Sequence, residues 1–501
     1  MTMPLRNISA AAWPFRSVLI ANRGEIALRI LRTVKELGLE AVVVHHAADA
    51  DSPAVRAADS AIEITGRTPV AAYLDGAQII AAAKTAGAGA IHPGYGFLSE
   101  NAGFARDVAA AGLVFVGPTP EAIDLMGDKV RARAFVARHG FPVAPSAIED
   151  DDPATFVERA NAVGYPLLIK PSAGGGGKGM RIVREPSVLA EEIARARSEG
   201  ERYFGDGRLY VERYVENPRH IEVQVLGDAH GNVVHLFERE CSVQRRFQKI
   251  IEESPSPALS PDERQRICEA AAGIARAAGY RNAGTVEFIY GNGEFFFLEM
   301  NTRLQVEHPV TEMVTGIDLV REQLRVAAGE PLGYGQSDVR VEGHAIECRI
   351  YAESPVRGFT PTTGRVLKLR LPDTRSVRID MGIVDGQAVT AAFDPMLAKL
   401  IVHAPNRNEA RSMASSALRD FVLLGCETNI GFLRRLIDYA AFGRGEIHTG
   451  FLDAHPEIAA DQTSDEVLNR MIAIAALSVR PVRDAADAAP QPHAAMGGWR
   501  N

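Results

Sequence analysis

The sequence predicts an α/β fold in its first quarter and an α+β fold after it. In the first part, short apolar runs alternate with segments whose apolar residues recur at helical spacing, such as the strand over 17–21 and the helix over 24–37. This alternation is typical of a doubly wound parallel sheet covered by helices. From residue 220 onward, strands are joined by short turns, which is typical of antiparallel hairpins.

The first part continues with strands over 41–45, 88–92 and 113–116 and helices over 75–86 and 100–111. The turns at 22–25 and 92–96 each follow a predicted strand. Ligands of open α/β sheets bind beyond the carboxyl ends of the strands, so both turns are candidate ligand sites. Turns without a ligand explain their glycine and proline content equally well.

A segment of linker composition, over 141–152, precedes the second part. The predicted elements after it are a helix over 153–163, strands over 167–170 and 180–183, a helix over 186–198, a strand over 209–213, hairpins over 220–238 and 285–300, a β-rich region over 343–403 and helices to about 455. The tail from 461 contains a predicted helix over 467–479 and an alanine- and proline-rich segment typical of a linker.

Composition excludes several classes of protein. The 501 residues carry a net charge of −8, so no basic field attracts nucleic acid. No apolar run approaches the ~18 residues of a spanning helix, and the N-terminus lacks a secretory or transit pattern. The four cysteines lie far apart, as reduced thiols do. We expect a cytoplasmic protein of about two to four domains that binds neither nucleic acid nor membranes.

A glycine-rich loop lies between the predicted strands over 167–170 and 180–183. It contains four successive glycines, Gly174, Gly175, Gly176 and Gly177. Glycine backbone N–H groups can surround phosphates, and Lys170 and Lys178 add positive charge. The loop matches neither the P-loop nor the GxGxxG pattern. We interpret it as a mobile phosphate cover; the alternative is a flexible hairpin tip without a ligand.

The predicted hairpin over 285–300 carries two carboxylates among apolar residues, Glu287 and Glu299, and Asn301 follows them. Two carboxylates and an amide oxygen form an oxygen-only set of the kind that binds Mg²⁺ beside nucleotide phosphates. Either glutamate alone is explained as a solvated residue of a strand edge. Together with the glycine loop, the pair indicates nucleotide chemistry.

A third group of polar residues follows directly. Arg303 offers a planar fork for a small oxyanion, Gln305 can donate to the same anion, and Glu307 is a candidate base. This set suits bicarbonate or a carboxylate; the alternative is that Arg303 pairs with one of the glutamates. Lys249, in a run of charged residues over 238–253, and Arg349, on another predicted strand, are cations that could stabilise an anionic intermediate.

These blocks, in this order, resemble the biotin carboxylase family of the ATP-grasp superfamily over residues 17–457. The resemblance is strongest in IANRGEIAL at 20–28, IHPGYGFLSEN at 91–101, MGDK at 126–129, the glycine loop, and EMNTRLQVEHPVT at 299–311. It implies an N-terminal doubly wound (pre-ATP-grasp) domain over 1–127, an ATP-grasp domain over 128–330 with a mobile glycine-rich lid over about 142–214, a β-rich C-terminal biotin carboxylase domain over 331–457, and a tail over 458–501 made of a helix and a linker.

The resemblance also implies a nucleotide site. ATP phosphates would be bound by Lys129, Lys170 and the four loop glycines. Glu212 and Val215 would contact the adenine and hinge region, and His220 the ribose. Mg²⁺ or Mn²⁺ would be held by Glu287, Glu299 and Asn301, the first two also contacting ATP.

The implied reaction is that of an ATP-dependent carbon–nitrogen ligase. Arg303, Gln305 and the Val306 backbone would bind bicarbonate, and Glu307 would deprotonate it for attack on the γ-phosphate. Lys249 would then steady the carboxyphosphate. Arg349 would stabilise the enolate-like biotin that captures CO₂ at N1.

Three details qualify the resemblance. Relatives often have His where this chain has Phe247, so one polar contact to ATP is in doubt. The carrier tetrapeptide Ala-Met-Lys-Met does not occur in the sequence, so biotin would be a substrate carried on another chain, a biotinylated carrier protein or domain that also serves a carboxyltransferase subunit. The loop at 178–179 and the run FERECSVQRR at 237–246 are similar to the α chains of acyl-CoA carboxylases.

The family forms a homodimer where this chain has Arg29, Arg32 and Glu36, although an ordinary charged helix face explains these residues equally well. Two other functions stay open. The chain could be another ATP-grasp ligase that activates a carboxylate, such as a carbamoyl-phosphate or purine-pathway enzyme, or a catalytically silent nucleotide-binding scaffold subunit. The set of Arg303, Gln305, Glu307 and Arg349 favours the biotin carboxylase.

Overall fold

The computed structural model describes residues 13–149, 152–171, 180–204, 207–246, 248–372, 377–460 and 465–478. The chain divides into two compact units at residue 458. The first unit contains the three sheets that matter for function, and the second contains one described helix.

The N-terminal sheet is parallel and has the strand order β3-β2-β1-β4-β5. Its strands are β1 (Ser17–Ile20), β2 (Glu40–His45), β3 (Ser60–Glu63), β4 (Ala90–His92) and β5 (Val114–Phe115). Its helices are α1 (Gly24–Glu36), α2 (Pro53–Ala57), α3 (Pro69–Ala72), α4 (Gly76–Thr85) and α5 (Ala102–Ala110), followed by α6 (Pro120–Gly127) and α7 (Lys129–Arg138). The doubly wound parallel sheet is confirmed; β3, mostly exposed, was not predicted because it lacks an apolar run.

The two predicted ligand turns meet in space. β1 and β4 are neighbours in the sheet although their first paired positions, Val18↔Ala90 and Leu19↔Ile91, are 72 residues apart in the chain. The strand order reverses between them, and ligands of doubly wound sheets bind at such a switch point. The turns after both strands therefore share one edge of the sheet.

A small antiparallel sheet of order β6-β9-β7-β8 occupies the region of the predicted lid. Its elements are β6 (Ser146–Ile148), α8 (Phe156–Ala162), β7 (Leu167–Pro171), β8 (Arg181–Val183), α9 (Leu189–Phe204) and β9 (Leu209–Arg213). β7 and β8 pair antiparallel on either side of the glycine loop. Loop residues 172–179, with Gly174, Gly175, Gly176 and Gly177, lie outside the described residues.

The largest sheet among the described residues has eight antiparallel strands in the order β14-β13-β10-β11-β12-β15-β22-β20. These strands are β10 (Arg219–Gly227), β11 (Val233–Arg245), β12 (Gln248–Ser254), β13 (Asn282–Gly291), β14 (Glu294–Asn301), β15 (His344–Tyr351), β20 (Val377–Met381) and β22 (Met396–Ala404). The sheet crosses residue 330, so strands from both sides of that predicted boundary share one hydrogen-bonded surface. The division into three domains stays a prediction.

Helices and short strand pairs complete the first unit. The helices are α10 (Pro261–Ala277), α11 (His308–Thr315), α12 (Leu319–Ala327), α13 (Arg407–Asp420), α14 (Ile430–Asp438), α15 (Ala440–Gly443) and α16 (Phe451–Ala454). The short pairs are formed by β16 (Glu353–Ser354) with β17 (Thr360–Pro361), β18 (Gly364–Arg365) with β21 (Ala388–Val389), and β19 (Lys368–Arg370) with β23 (Val422–Leu424).

One apolar core joins the N-terminal sheet to the large sheet. Ile20 and Ile30 from the first part are buried in the same cluster as Leu236 and Leu324. Close backbone contact adds to it: a Cβ on Gly382 would lie 2.6 Å from the carbonyl carbon of Gly24, so only glycine fits there. This packing fixes the turn after β1 against the end of β20, the edge strand of the large sheet.

The second unit contains the described helix α17 (Asp465–Ser478), at the position predicted for the tail helix. Among the described residues, we found no helix with both the length and the apolar character needed to cross a membrane.

Candidate active site

A cavity of about 1000 Å³ lies where the carboxyl ends of β1 and β4 meet the large sheet. Many of the predicted site residues line it: Lys129, His220, Lys249, Glu287, Glu299, Asn301, Arg303, Gln305, Val306 and Arg349. The structure thus brings together residues that are up to 220 positions apart, from 129 to 349. The large sheet positions most of them, because side chains alternate between its two faces.

Glu287 and Glu299 are directly opposite each other in the register of β13 and β14. Asn301, two residues after Glu299, lies on the same face and donates from Nδ2 to Glu287 Oε1 over 2.7 Å. Lys129 Nζ lies 2.7 Å from Glu299 Oε2. The predicted metal set therefore lies on one face of the hairpin, with a lysine beside it.

Glu287 is buried and contacts two further cationic groups. His220 Nε2 lies 2.8 Å from Glu287 Oε2, and Lys249 Nζ lies 3.1 Å from Oε1. Burial opposes ionisation, but Lys249 and His220 outweigh it and hold the pKa of Glu287 well below its ordinary value. In the same way, burial is outweighed by Glu287 at His220, whose pKa is raised. Glu287 is therefore an anion at neutral pH.

Lys249 is surrounded by carboxylates. Its Nζ lies 2.5 Å from Glu222, 2.6 Å from Glu307 and 3.1 Å from Glu287. Although burial disfavours the charge, Glu222 and Glu287 raise the pKa of Lys249 well above its ordinary value. Each of the three ammonium donors thus has an anionic partner.

Glu222 and Arg239 belong to the site but were not predicted from the sequence. They are opposite each other on β10 and β11, and both are completely buried. Arg239 Nε donates to Glu222 over 2.5 Å, and its other nitrogens donate to Gln224, Thr311 and Thr285. The alternation of side chains within one strand cannot predict such a pair, because the pair depends on the register between two strands.

Glu307 is completely buried between two cations. Its Oε1 lies 2.6 Å from Lys249 Nζ, and its Oε2 accepts from Arg349 over 2.8 Å. Burial is outweighed by Lys249 and Arg349, so the pKa of Glu307 lies well below its ordinary value. Glu307 also precedes α11 as its N-cap, where the helix dipole stabilises an anion. The predicted base is thus ionised and fixed in place.

Arg303 pairs with a glutamate that was not in the predicted set. Its Nε donates to Glu100 Oε2 over 2.8 Å, and its other nitrogens donate to Gln305 Oε1 at 3.0 Å and Asn301 Oδ1 at 3.1 Å. Gln305 Nε2 in turn donates to Glu287 Oε1 over 3.3 Å. The guanidinium is therefore oriented by the metal set on one side and by the N-terminal part on the other.

Arg349 connects Glu307 to a second carboxylate. Its Nε donates to Glu252 Oε1 over 2.5 Å while its NH₂ group contacts Glu307. Burial raises the pKa of Glu252 to about 7, against the opposing effect of Arg349. Glu252 was not predicted as a site residue; it lies within a charged run that reads as a solvated face.

Some predicted residues lie outside the cavity wall. Lys170 and Glu212 form an ion pair between β7 and β9 of the small sheet, and neither lines the cavity. Val215 is half-buried against β13, where a Cβ on Gly291 would come within 2.5 Å of its Cγ1. Phe247 lies outside the described residues. The nucleotide roles of these residues stay predictions.

The two turns at the switch point form the opposite wall. Asn22 Nδ2 donates to the carbonyls of Pro93 and Tyr95, each over 2.7 Å, and so ties the turns together. Arg23 pairs with Asp49 over 2.9 Å and lies 3.9 Å above the ring of Phe393. These turns are therefore part of a cavity and not merely connections.

The predicted dimer residues differ in exposure. Arg29 is buried, with ion pairs to Glu312 at 2.8 Å and Asp318 at 2.9 Å inside the chain. Arg32 is half exposed, and Glu36 contacts Arg321 at the surface. Of the three, Arg32 and Glu36 are the ones accessible to a second chain.

Three features together define an ATP-grasp ligase. They are the paired carboxylates on a hairpin, the small separate sheet whose sequence includes the glycine loop, and the arginine, amide and carboxylate side chains grouped for a small oxyanion. Family models agree with this class. Residues 14–123 match the model "Biotin carboxylase, N-terminal domain", 128–334 match "Carbamoyl-phosphate synthase L chain, ATP binding domain", and 347–454 match "Biotin carboxylase C-terminal domain".

Individual proteins are similar over most of the chain. Biotin carboxylase of Allochromatium vinosum is 49% identical over 87% of this chain and 97% of its own length. Methylcrotonoyl-CoA carboxylase subunit alpha, mitochondrial, of Oryza sativa is also 49% identical, over 87% of this chain and 60% of its own. The biotin carboxylase domain dimer of Hydrogenobacter thermophilus 2-oxoglutarate carboxylase, solved with MgADP, ADP and bicarbonate, has a TM-score of 0.79 and 43% identity over 90% of this chain and 99% of its own. The chain belongs to the biotin carboxylase family.

Proposed function

We propose that this chain is the biotin carboxylase component of a biotin-dependent carboxylase, and that it carboxylates N1 of biotin with bicarbonate and ATP through carboxyphosphate. One observation carries the proposal. Glu307 is buried between Lys249 and Arg349, at 2.6 and 2.8 Å, in the same site as the opposed carboxylates Glu287 and Glu299.

Glu287, Glu299 and Asn301 fit Mg²⁺ or Mn²⁺, because they offer an oxygen set that is now satisfied only by nearby cationic and amide groups. When bound, the metal supplies charge neutralisation to the nucleotide phosphates. Lys129, 2.7 Å from Glu299 at the cavity wall, is placed to contact those phosphates. Lys170, the loop glycines, Glu212, Val215 and His220 complete the proposed nucleotide site.

Bicarbonate would bind at Arg303, Gln305 and the Val306 backbone. Glu307 takes the bicarbonate proton, the resulting oxygen attacks the γ-phosphorus of ATP, and the bond to ADP breaks. The low pKa of Glu307 ensures that it is ionised when bicarbonate arrives. Lys249 and Arg349, which keep Glu307 ionised, also weaken it as a base, so proton transfer to Glu307 is favoured when these cations turn from it to the anionic substrates before the attack.

Carboxyphosphate then breaks into CO₂ and phosphate. The phosphate takes the N1 proton of biotin, and N1 forms its new bond to the carbon of CO₂. Negative charge develops on the ureido oxygen of biotin, and Arg349 is the buried cation at the cavity wall that would stabilise it. Charge stabilisation by fixed groups explains the reaction without a covalent enzyme intermediate.

We propose further that biotin arrives on a biotinylated carrier protein or domain, that a carboxyltransferase subunit uses the product, and that the enzyme is a cytoplasmic homodimer. Methylcrotonoyl-CoA carboxylase subunit alpha, of which this chain covers 60%, supports an acyl-CoA carboxylase. The dimer solved for the Hydrogenobacter protein supports a dimer here. Its interface would include Arg32 and Glu36, the exposed residues of the set that the family resemblance implies.

The test measures phosphate release from ATP and bicarbonate with and without free biotin, together with transfer of labelled bicarbonate to biotin. We expect label in biotin and phosphate release that biotin accelerates. Phosphate release that does not change when biotin is added would indicate another ATP-grasp ligase. So would phosphate release in which a carboxylate substrate replaces bicarbonate. Nucleotide binding without any turnover would indicate a scaffold subunit.

A further inference from the structure

Lys399 is a completely buried lysine that none of the proposed steps uses. It lies on β22, where its backbone neighbours are Arg349 on β15 and Asp380 on β20. Burying an ammonium group is costly unless it is paired and hydrogen-bonded. Its position therefore requires specific partners.

The partners of Lys399 come from two distant parts of the chain. Its Nζ donates to the carbonyl oxygen of Val306 over 2.9 Å and lies 3.1 Å from Glu25 Oε1. The Val306 carbonyl belongs to the peptide that joins Val306 to Glu307. Lys399 thus fixes the plane of the peptide directly before the proposed base.

Glu25 links this contact to the cavity wall. It lies in the first turn of α1 and is 5% exposed, and it accepts at Oε1 from the hydroxyl group of Tyr95 as well as from Lys399. Tyr95 lines the cavity in the turn after β4. α1, the turn after β4 and β22 are therefore all connected to the Val306–Glu307 peptide through one buried lysine.

We propose that Lys399 is a positioning residue for bicarbonate, which holds the Val306–Glu307 peptide so that the Val306 backbone and the Glu307 carboxylate face the same substrate. This inference rests on the proposed function. The contact is to the backbone, so Lys399 acts without touching the substrate itself.

A simpler role would be neutralisation of Glu25. The two roles predict different results when Glu25 is uncharged. If Lys399 only neutralises Glu25, its ammonium group is then unnecessary. If it positions the peptide, a hydrogen-bond donor to the Val306 carbonyl is still required. A misplacement of about 1 Å in a reacting group costs on the order of 100-fold in rate. The bicarbonate step should therefore be far more sensitive to Lys399 than nucleotide binding.

The first test replaces the ammonium by an apolar group of similar length. For Lys399→Met we expect the KM for bicarbonate to rise on the order of 10–100-fold and kcat to fall, with the KM for ATP nearly unchanged. Lys368→Met, the same change at an exposed lysine, is the matched control and should leave both KM values as they are. Equal increases in both KM values would overturn the proposal, because they indicate general disruption.

The second test separates positioning from neutralisation and applies if Lys399→Met does not fold. Lys399→Met is placed in a Glu25→Gln background, which removes the carboxylate that pairs with Lys399, and is compared with Glu25→Gln alone. We expect the double variant to keep a raised KM for bicarbonate although it melts near the single variant. A KM for bicarbonate equal to that of Glu25→Gln would overturn the proposal. If the unmodified protein transfers no label from bicarbonate to biotin, the proposed function fails independently of these variants.

Discussion

Lys249 Nζ lies 2.6 Å from Glu307 Oε1, and the same ammonium lies 2.5 Å from Glu222 and 3.1 Å from Glu287. One cation thus links the proposed base to the proposed metal site and to the buried Glu222–Arg239 ion pair. Because three carboxylates share it, loss of any one of them leaves Lys249 with other partners. Single carboxylate variants at this site should therefore fold, which makes their kinetics informative.

Replacement of Glu307 by Gln should remove the base while leaving the nucleotide site intact. General base catalysis contributes about 10²–10⁴-fold, so we expect biotin carboxylation to fall by that order. Phosphate release and labelled carboxybiotin are the measurements. Binding of a non-hydrolysable ATP analogue should change little, since Lys249 keeps Glu222 and Glu287. Activity close to that of the unmodified protein would contradict the role of Glu307.

Side-chain alternation was sufficient to predict part of this site from the sequence. Glu299 and Asn301 share a face because they are two residues apart on β14. Glu287 joins them through a bulge, because the register of the turn would place it opposite Leu298 and a shift between Glu287 and Phe288 places it opposite Glu299. Glu222 with Arg239 and Glu100 with Arg303 could not be predicted in this way. The second pair is 203 residues apart in the chain, and its contact depends on how the N-terminal part packs on the large sheet.

The same limit applies to the fold. The parallel sheet and the hairpins follow from apolar periodicity, because buried faces impose it. The pairing of β12 with β15 does not follow from periodicity. Residues 255–343 separate the two strands in the chain, and their pairing is decided by the packing of the whole sheet. Lys399 was identified as a positioning residue only from the structure, because the order of strands in the sheet brings β22 to the Val306 carbonyl.

Removal of divalent cations should stop turnover, and Mg²⁺ or Mn²⁺ should restore it. For Glu299→Gln we expect the Mg²⁺ concentration at half-maximal rate to rise on the order of tenfold, the effect of about 1.4 kcal/mol of lost binding. Glu294→Gln, at the exposed start of the same strand, is the control. An unchanged Mg²⁺ requirement in Glu299→Gln would exclude Glu299 as a ligand.

Replacement of Arg239 by Met should destabilise the protein strongly. Arg239 is completely buried, and its removal leaves Glu222 with Lys249 as its remaining cationic partner. Breaking a buried pair costs about 3–5 kcal/mol, which urea unfolding would measure. The double variant Arg239→Met/Glu222→Gln should recover part of the loss, because the buried charge is gone. Arg106→Met, which breaks the exposed pair with Asp124, should change the midpoint very little. Similar shifts of the urea midpoint in Arg239→Met and Arg106→Met would contradict the role of Arg239 as a stabilising buried partner of Glu222.

Glu252 should make the stability of the protein depend on pH in a direction opposite to that of Glu287 and Glu307, whose pKa values are lowered. Burial raises its pKa to about 7 in the folded protein, from 4.5. The folded state therefore binds the proton more tightly than the unfolded state, and the stability contributed by Glu252 is lost as the pH rises from about 4.5 through 7. Glu252→Gln cannot lose a proton, so its free energy of unfolding, relative to the unmodified protein, should increase between pH 5 and pH 8 by roughly 2–3 kcal/mol. Urea unfolding of both proteins at each pH measures this difference and cancels the contributions of Glu287 and Glu307. A difference that is constant with pH, or that decreases, would show that Glu252 is already ionised at pH 5, and then Arg349 would outweigh burial at this position.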